Sequence, residues 1–482
     1  MKTGSNKNRI RIVCVLTMSV LLLAGCDIKI TGVFPLPKVT EASKTAEEVS
    51  PQEQDFIGPP PVISINDDTE SVITEHEDAE DEAGFEEIYD PEGKEYSVMT
   101  ASPDQITLSF VGDVGFAKGY ATINKYHGNG DDIHKSIDDG VLSMMQSADI
   151  MMANNEFPYS DRGTPTPNKT YTFRADPKDV HIMKDMGVDI VGLANNHAYD
   201  YGPDALIDTI DTLNDAHLPF VGAGKNIDEA MRPAYFHVNG NVVSIVAATQ
   251  IERLGSPDTR EATADSPGVL RTLDPAKAVQ AIKTASENSD FTVMFVHWGT
   301  ESTDLVEKSQ RDLAKAYVEA GADLVIGAHS HCLQGIDYID DVPVFYSLGN
   351  FWFNSKTLDT CIVTATLNKD CQLSSVRFIP CIQRGSGVVT ASQAEHDRII
   401  EYMRGISNYA EIDDDGFVTK SDKDHNTQNG KNTSPARKAE EPEDAAVQSE
   451  PAGEQAPAAQ TQPAQEQAPK EEALPDWAVD TN

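Results

Sequence analysis

Five apolar runs in the middle of the chain each end in residues able to bind a cation or move a proton. ITLSFV is followed by Gly112-Asp113, DIMMA by Asn154-Asn155-Glu156, and VDIVGL by Ala194-Asn195-Asn196-His197. FTVMFV runs into His297-Trp298-Gly299, and ADLVIG into Ala328-His329-Ser330-His331. Metal chemistry uses this mix: carboxylates bridge two cations, imidazole suits zinc, iron or manganese, and an asparagine carbonyl is a neutral oxygen donor. In His329-Ser330-His331 an extended backbone sends residues i and i+2 to the same side. The two imidazoles would then each serve one of two cations about 3.5–4 Å apart, the spacing of two-metal hydrolases. A lone strand-end histidine is more often a hydrogen-bonded structural residue, but five polar motifs at one sheet edge outweigh that reading. Cys332 alternates away from His331 and is expected in the core.

Positioning these residues requires a sheet. Between roughly Gln105 and Arg404, short apolar runs alternate with amphipathic stretches, the pattern of a sheet flanked by helices. Runs that are apolar throughout suit strands buried on both faces, as in a largely parallel sheet. Ligands of open α/β sheets bind at the C-terminal strand edge, where all five motifs fall. Leu206, Ile210 and Leu213 recur at helical spacing within 203–216, and a second helix is expected over 305–320, closing at Gly321. YFHVNGNVVSIVAA, with its Asn-Gly-Asn turn, and CIVTATLNKDCQLSSVRFIP read as antiparallel hairpins. The expected fold class is an α/β sandwich of mixed sheets flanked by helices, spanning residues 101–404, with disordered acidic flanks.

Of 482 residues, 78 are acidic and 38 basic, a formal net charge of −40. Residues 39–100 carry about −17 of it and residues 419–482 about −7. Such a balance repels phosphate backbones and argues against nucleic acid as a partner. The chain begins with Lys2, Lys7, Arg9 and Arg11, then an apolar run too short to span a bilayer, which needs about 20 residues. The run ends in Leu23-Ala24-Gly25-Cys26, which resembles the bacterial lipoprotein box. That resemblance implies a signal peptide over 1–25, lipidation of Cys26 and a location on the extracytoplasmic face of the cell membrane. Residues 26–100 read as an acidic disordered linker and 405–482 as a disordered Pro/Ala/Gln/Glu-rich tail. Six cysteines, none in CxxC spacing, form neither a structural zinc motif nor a disulfide framework.

Taken in order, GDV, NNE, ANNHAYDYG, HWGTE, GAHSH and SLGNF resemble the CapA family of poly-γ-glutamate capsule biosynthesis proteins, with YTFRADP before the third and QRDLAKAYVEAGADLVIG before the fifth. The resemblance implies the calcineurin-like metallophosphoesterase fold and one or two divalent cations, with manganese, zinc and iron not distinguished. It implies Asp113 and His331 on one cation, Glu156 as the bridging carboxylate, and Asn196, His297 and His329 on the other. His197 matches the group that protonates a leaving group, with Asp200 orienting it. Lys169 and Arg174 are candidates to contact an anionic substrate, or else lie on the surface; Glu301 and Asn350 shape the pocket or cap loops. Three positions depart from the phosphoesterase or family pattern. Gly115 stands where phosphoesterases carry a histidine, Glu156 replaces aspartate, and Asn155 replaces an apolar residue.

The leading expectation is a lipid-anchored protein acting in synthesis, export or attachment of poly-γ-glutamate or a related anionic surface polymer. It would work with capsule synthase or export subunits through a metal-dependent hydrolytic or acyl-transfer site. A second reading is a non-catalytic accessory subunit that binds polymer or synthase. A third is a surface metal-dependent phosphatase or phosphodiesterase.

Overall fold

Side-chain alternation divides the apolar residues of each strand between two faces. In Ile150–Asn155, Met152 joins one cluster while Met151 and Ala153 join another. The computed structural model describes residues 87–251 and 259–422, all within one compact unit. The expected signal segment, Cys26, most of the acidic linker and nearly all of the tail lie outside the described residues.

Two large sheets result. One has eight strands, in the order Tyr89–Asp90, Glu95–Val98, Ala234–Val238, Asn241–Thr249, Phe291–His297, Leu324–Ala328, Val342–Phe345 and Ile336–Ile339. The other has ten, with a main path through Ala410–Ile412, Phe417–Lys420, Leu373–Arg384, Leu358–Asn368, Gln105–Val114, Ile150–Asn155, Ile190–Gly192 and Phe220–Val221. Two further strands join this second sheet: Asn350–Trp352 beside Gln105–Val114, and Gly387–Thr390 beside Leu373–Arg384.

The sheets face each other across one core, in which Leu108, Phe110 and Met152 of one sheet cluster with Ile245, Val293, Phe295 and Ile326 of the other. Helices cover the outer faces. Leu206, Ile210 and Leu213 of helix Pro203–Asp215 pack with Val111, Met151 and Val191. Ile282 of helix Ala276–Asn288 and Leu313 of helix Lys308–Ala320 pack with Val246, Met294 and Val325. Each such aliphatic side chain contributes roughly 1.5–3 kcal/mol on burial, so the three clusters together hold the layers. The expected α/β sandwich is what forms.

All five expected strand runs are strands, and those that carry the site are parallel to one another within each sheet. Both expected hairpins form. The first turns at Asn239-Gly240, where φ of 51° and 76° is the two-residue geometry that matches strand twist. The helix expected from residue 305 begins at Lys308, because Glu307 and Gln310 form a reciprocal capping box there. It stops at Gly321, whose φ of 113° suits glycine. The ordered body is larger than 101–404. Tyr89–Asp90 and Glu95–Val98 add strands at one end, through Glu95–Val98 against Ala234–Val238, and Ala410–Ile412 with Phe417–Lys420 add two at the other. Among the described residues, no helix is long and apolar enough to cross a membrane.

Candidate metal centre

Asp113 reaches the site through a bulge. Phe110 pairs with Met152 and Asp113 with Asn154, so Gln105–Val114 carries one extra residue between those pairs. The bulge shifts the alternation: Val111 and Val114 join the outer cluster, and Asp113 turns to the side of Phe110. Gly112 allows the close approach of the next strand, since a Cβ there would lie 1.9 Å from the Gly349 carbonyl oxygen. Asp113 is fully buried; its Oδ1 accepts from Asn154 Nδ2 at 2.7 Å, and its Oδ2 lies 3.1 Å from His331 Nδ1.

Glu156 sits at the centre. It is fully buried, and neither carboxylate oxygen has a hydrogen-bond partner among the described residues. Burying such a group costs several kcal/mol unless a cation or donor offsets it. Glu156 belongs to two groups of potential ligands, one with His297 and His329 and one with Asp113 and His331, each with its atoms within 4.8 Å of one another. His297 Nε2 lies 2.7 Å from Asn196 Oδ1, 3.0 Å from His329 Nδ1 and 3.6 Å from Glu156 Oε1. Two imidazoles, an amide oxygen and an unpartnered carboxylate fit a divalent transition metal; carboxylates with imidazole fit a second. This buried group could hold a metal ion.

His329 and His331 do fall into different groups, but not by strand alternation. The strand ends at Ala328, and His329 and His331 have φ of 95° and 56°, so the motif is a left-handed turn and not extended backbone. Strain of this kind in non-glycine residues persists only where the surrounding structure holds it. Asn350 is buried, with its Oδ1 2.8 Å from His331 Nδ1.

His197 lies beside the centre, its Nε2 3.9 Å from Glu156 Oε1. Its Nδ1 donates to Asp200 Oδ2 at 2.7 Å, which fixes the tautomer, and the Phe173 ring covers it at a centroid distance of 4.2 Å. Asp200 also accepts from the Phe173 backbone N–H at 2.6 Å and pairs with Lys169 Nζ at 2.5 Å. Lys169 also donates to the Asn196 carbonyl. Its side chain is 7% exposed, so this ammonium is not a surface charge, and these two contacts brace the turn carrying Asn196 and His197. Arg174 is half-buried and stacks over the Tyr201 ring at 4.2 Å. Glu301 is exposed, and its charge acts on Glu156 and His331 through space.

The electrostatics follow from this packing. Burial, then the neighbouring Asp113, pushes Glu156 well above the usual carboxylate range. Burial and the other histidines hold His297 and His329 well below the usual imidazole value, leaving neutral rings with lone pairs to donate. Burial would lower His331 too, but Glu156 and Asp113 overcome it and push it up to about 10. His197 is lowered by burial against the pull of Asp200.

Asn154, Asn195 and Phe353 also belong to the site, and sequence reasoning gave them no role. Asn195 Nδ2 donates to Asn154 Oδ1 at 3.1 Å, and Asn195 Oδ1 accepts from the His197 N–H, so the asparagines tie three strand ends together. Their place inside the NNE and ANNH motifs was the available signal. The Phe353 ring lies over Gly115, where a Cβ would come within 2.7 Å of it; no local pattern announced this. Cys332 is half-buried, with Sγ 3.2 Å from the Thr303 carbonyl oxygen, and is not a core residue as expected. Cys332, Cys361, Cys371 and Cys381 are all free thiols.

Residues 107–355 match the family described as bacterial capsule synthesis protein PGA_cap. The PGA biosynthesis protein CapA of Bacillus subtilis is 30% identical over 331 residues, covering 67% of this chain and 84% of that protein. The capsule biosynthesis protein CapA of Bacillus anthracis is 30% identical, covering 62% and 73%. A probable polyglutamine synthesis accessory protein of Mycobacterium tuberculosis is 28% identical over 42% of this chain and 55% of its own length.

Proposed function

The chain belongs to the bacterial capsule synthesis (PGA_cap) family, the CapA proteins, and on that premise we propose that it acts in synthesis, export or attachment of poly-γ-glutamate or a related anionic surface polymer through a metal-dependent site. In this reading Asp113, Glu156 and His331 would hold one cation and Glu156, Asn196, His297 and His329 a second. A divalent cation held there supplies Lewis acidity, polarising an acyl or phosphoryl oxygen. The observation that carries the proposal is Glu156, a fully buried carboxylate whose oxygens have no hydrogen-bond partner among the described residues, with two sets of ligand atoms around it.

The chain's own residues supply the proton chemistry. With Nδ1 bound to Asp200, His197 keeps Nε2 as the atom that takes or gives a proton on the side of Glu156. Phe173 shields one face of the ring from water, and Lys169 holds Asp200 in register. The test is a chain carrying His297→Ala and His329→Ala in a strain that depends on it for capsule. Loss of polymer display is expected, and unchanged display rejects a metal-dependent role.

One observation favours the accessory-subunit reading: the Phe353 ring occupies the space beside Gly115 where phosphoesterases carry a ligand. Normal display with His197→Ala would select that reading. The protein is placed on the extracytoplasmic face of the cell membrane, lipid-anchored through Cys26, with capsule synthase or export subunits as partners. The basic and apolar residues preceding Cys26 support this, and release of a Cys26→Ala chain from the membrane fraction tests it.

A further inference from the structure

We infer that Asn350 is a metal-ligating residue, its side-chain oxygen completing the Asp113–Glu156–His331 group for a hard divalent cation such as manganese or magnesium. The inference rests on the metal-dependent reading above and assigns the donor set of one of its two positions.

Strand pairing carries the argument. Asn350–Trp352 runs parallel to Gln105–Val114 with Asn350 in register with Asp113, so the neighbouring strand delivers a side chain to the same edge. The register then shifts between Asn350 and Trp352, and Phe353 follows over Gly115. One short segment thus brings an amide oxygen to Asp113 and fills the space beside Gly115 with an aromatic ring. Asn350 Oδ1 lies 2.8 Å from His331 Nδ1, the same nitrogen that lies 3.1 Å from Asp113 Oδ2. Asn350 is 2% exposed, in a position where an amide needs polar partners.

The two positions then differ in chemistry. Asp113, Glu156, Asn350 and His331 offer three oxygens and one nitrogen, whereas Glu156, Asn196, His297 and His329 offer two of each. Oxygen-rich sets suit manganese and magnesium, and imidazole-rich sets suit zinc and iron. The centre is accordingly built to hold two unlike cations.

Metal-free full-length chain is titrated with Mn2+ and with Zn2+, following heat and, for manganese, the loss of the free-ion magnetic resonance signal. The wild-type chain is expected to bind one equivalent of each when both are offered. Asn350→Leu is expected to weaken the manganese equivalent at least about tenfold while keeping the zinc equivalent, and Asn350→Asp to restore it. Retained zinc binding shows that the variant is folded. A residue that only orients His331 would also weaken binding, so Asn350→Cys loaded with Cd2+ provides a direct signature. A thiolate-to-cadmium charge-transfer band absent from the wild-type chain supports ligation. Cadmium bound without that band overturns the inference, as does unchanged manganese affinity in Asn350→Leu. A wild-type chain that binds no cation overturns it together with the reading beneath it.

Discussion

Replacing Glu156 by glutamine separates the cost of the centre from its use. Glu156 is fully buried, its two oxygens have no hydrogen-bond partner among the described residues, and Asp113 stands close enough to raise its pKa further. An unsatisfied buried neutral group costs about 1–3 kcal/mol, and a charged one more. Glu156→Gln keeps the shape and removes the charge, so the metal-free variant should be more stable than the metal-free wild type by about 2 kcal/mol or more. The sign with pH follows from a raised carboxyl pKa. Its favourable contribution is present below the unfolded-state value and lost as pH rises through the folded-state value, so the advantage of glutamine grows from acid towards neutral pH. Cation at 100 times its Kd stabilises the wild type by about 2.7 kcal/mol; the variant, lacking the bridging carboxylate, should gain much less. Thermal unfolding with chelator and with added Mn2+ or Zn2+ measures both, with Glu287→Gln, exposed on helix Ala276–Asn288, as a control that moves neither. A metal-free Glu156→Gln chain less stable than wild type, or one that gains as much from metal, refutes the reasoning.

Lys94 is fully buried, with its ammonium 4.4 Å from the Phe220 ring centroid and donating to the Glu229 carbonyl, and burial pushes its pKa down to about 7. Between about pH 7 and 10.5 the unfolded chain holds a proton that the folded chain lacks, so this residue makes stability rise with pH across that window. Lys94→Met should remove that slope, seen as a wild-type-minus-variant difference of roughly 4 kcal/mol between the two ends in urea unfolding. The Tyr159 hydroxyl is buried without a partner among the described residues, and Tyr159→Phe should stabilise by about 1 kcal/mol in the same assay. Gly115→Ala should cost about 1–3 kcal/mol through the Phe353 ring, and most of that loss should vanish beside Phe353→Leu in a double-mutant cycle.

The strands and the site motifs were legible because both are local. A buried strand is an apolar run, and the residue after it lies at the ligand-binding edge of the sheet, which is how Asp113, Glu156, Asn196, His297 and His329 are found from sequence. What sequence misread depends on distant chain. The turn at His329-Ser330-His331 looks extended when read locally, but the strand ends one residue earlier and the backbone becomes left-handed. Lys169 reads as a free cation because its partners, Asp200 and the Asn196 carbonyl, come from a loop some thirty residues away. Phe353 covers Gly115 only because the strand before it pairs with Gln105–Val114. The outer strands within 89–98 and 410–420 hide in acidic surroundings, since strands near a sheet edge need few apolar residues.

Elemental analysis of the full-length chain tests the central claim most directly. The chain is equilibrated with manganese, zinc and iron and freed of excess metal, beside a His297→Ala, His329→Ala, His331→Ala chain. Two equivalents of divalent metal per chain, lost in the triple variant, are the expected result. A folded wild-type chain that retains no metal would contradict the account.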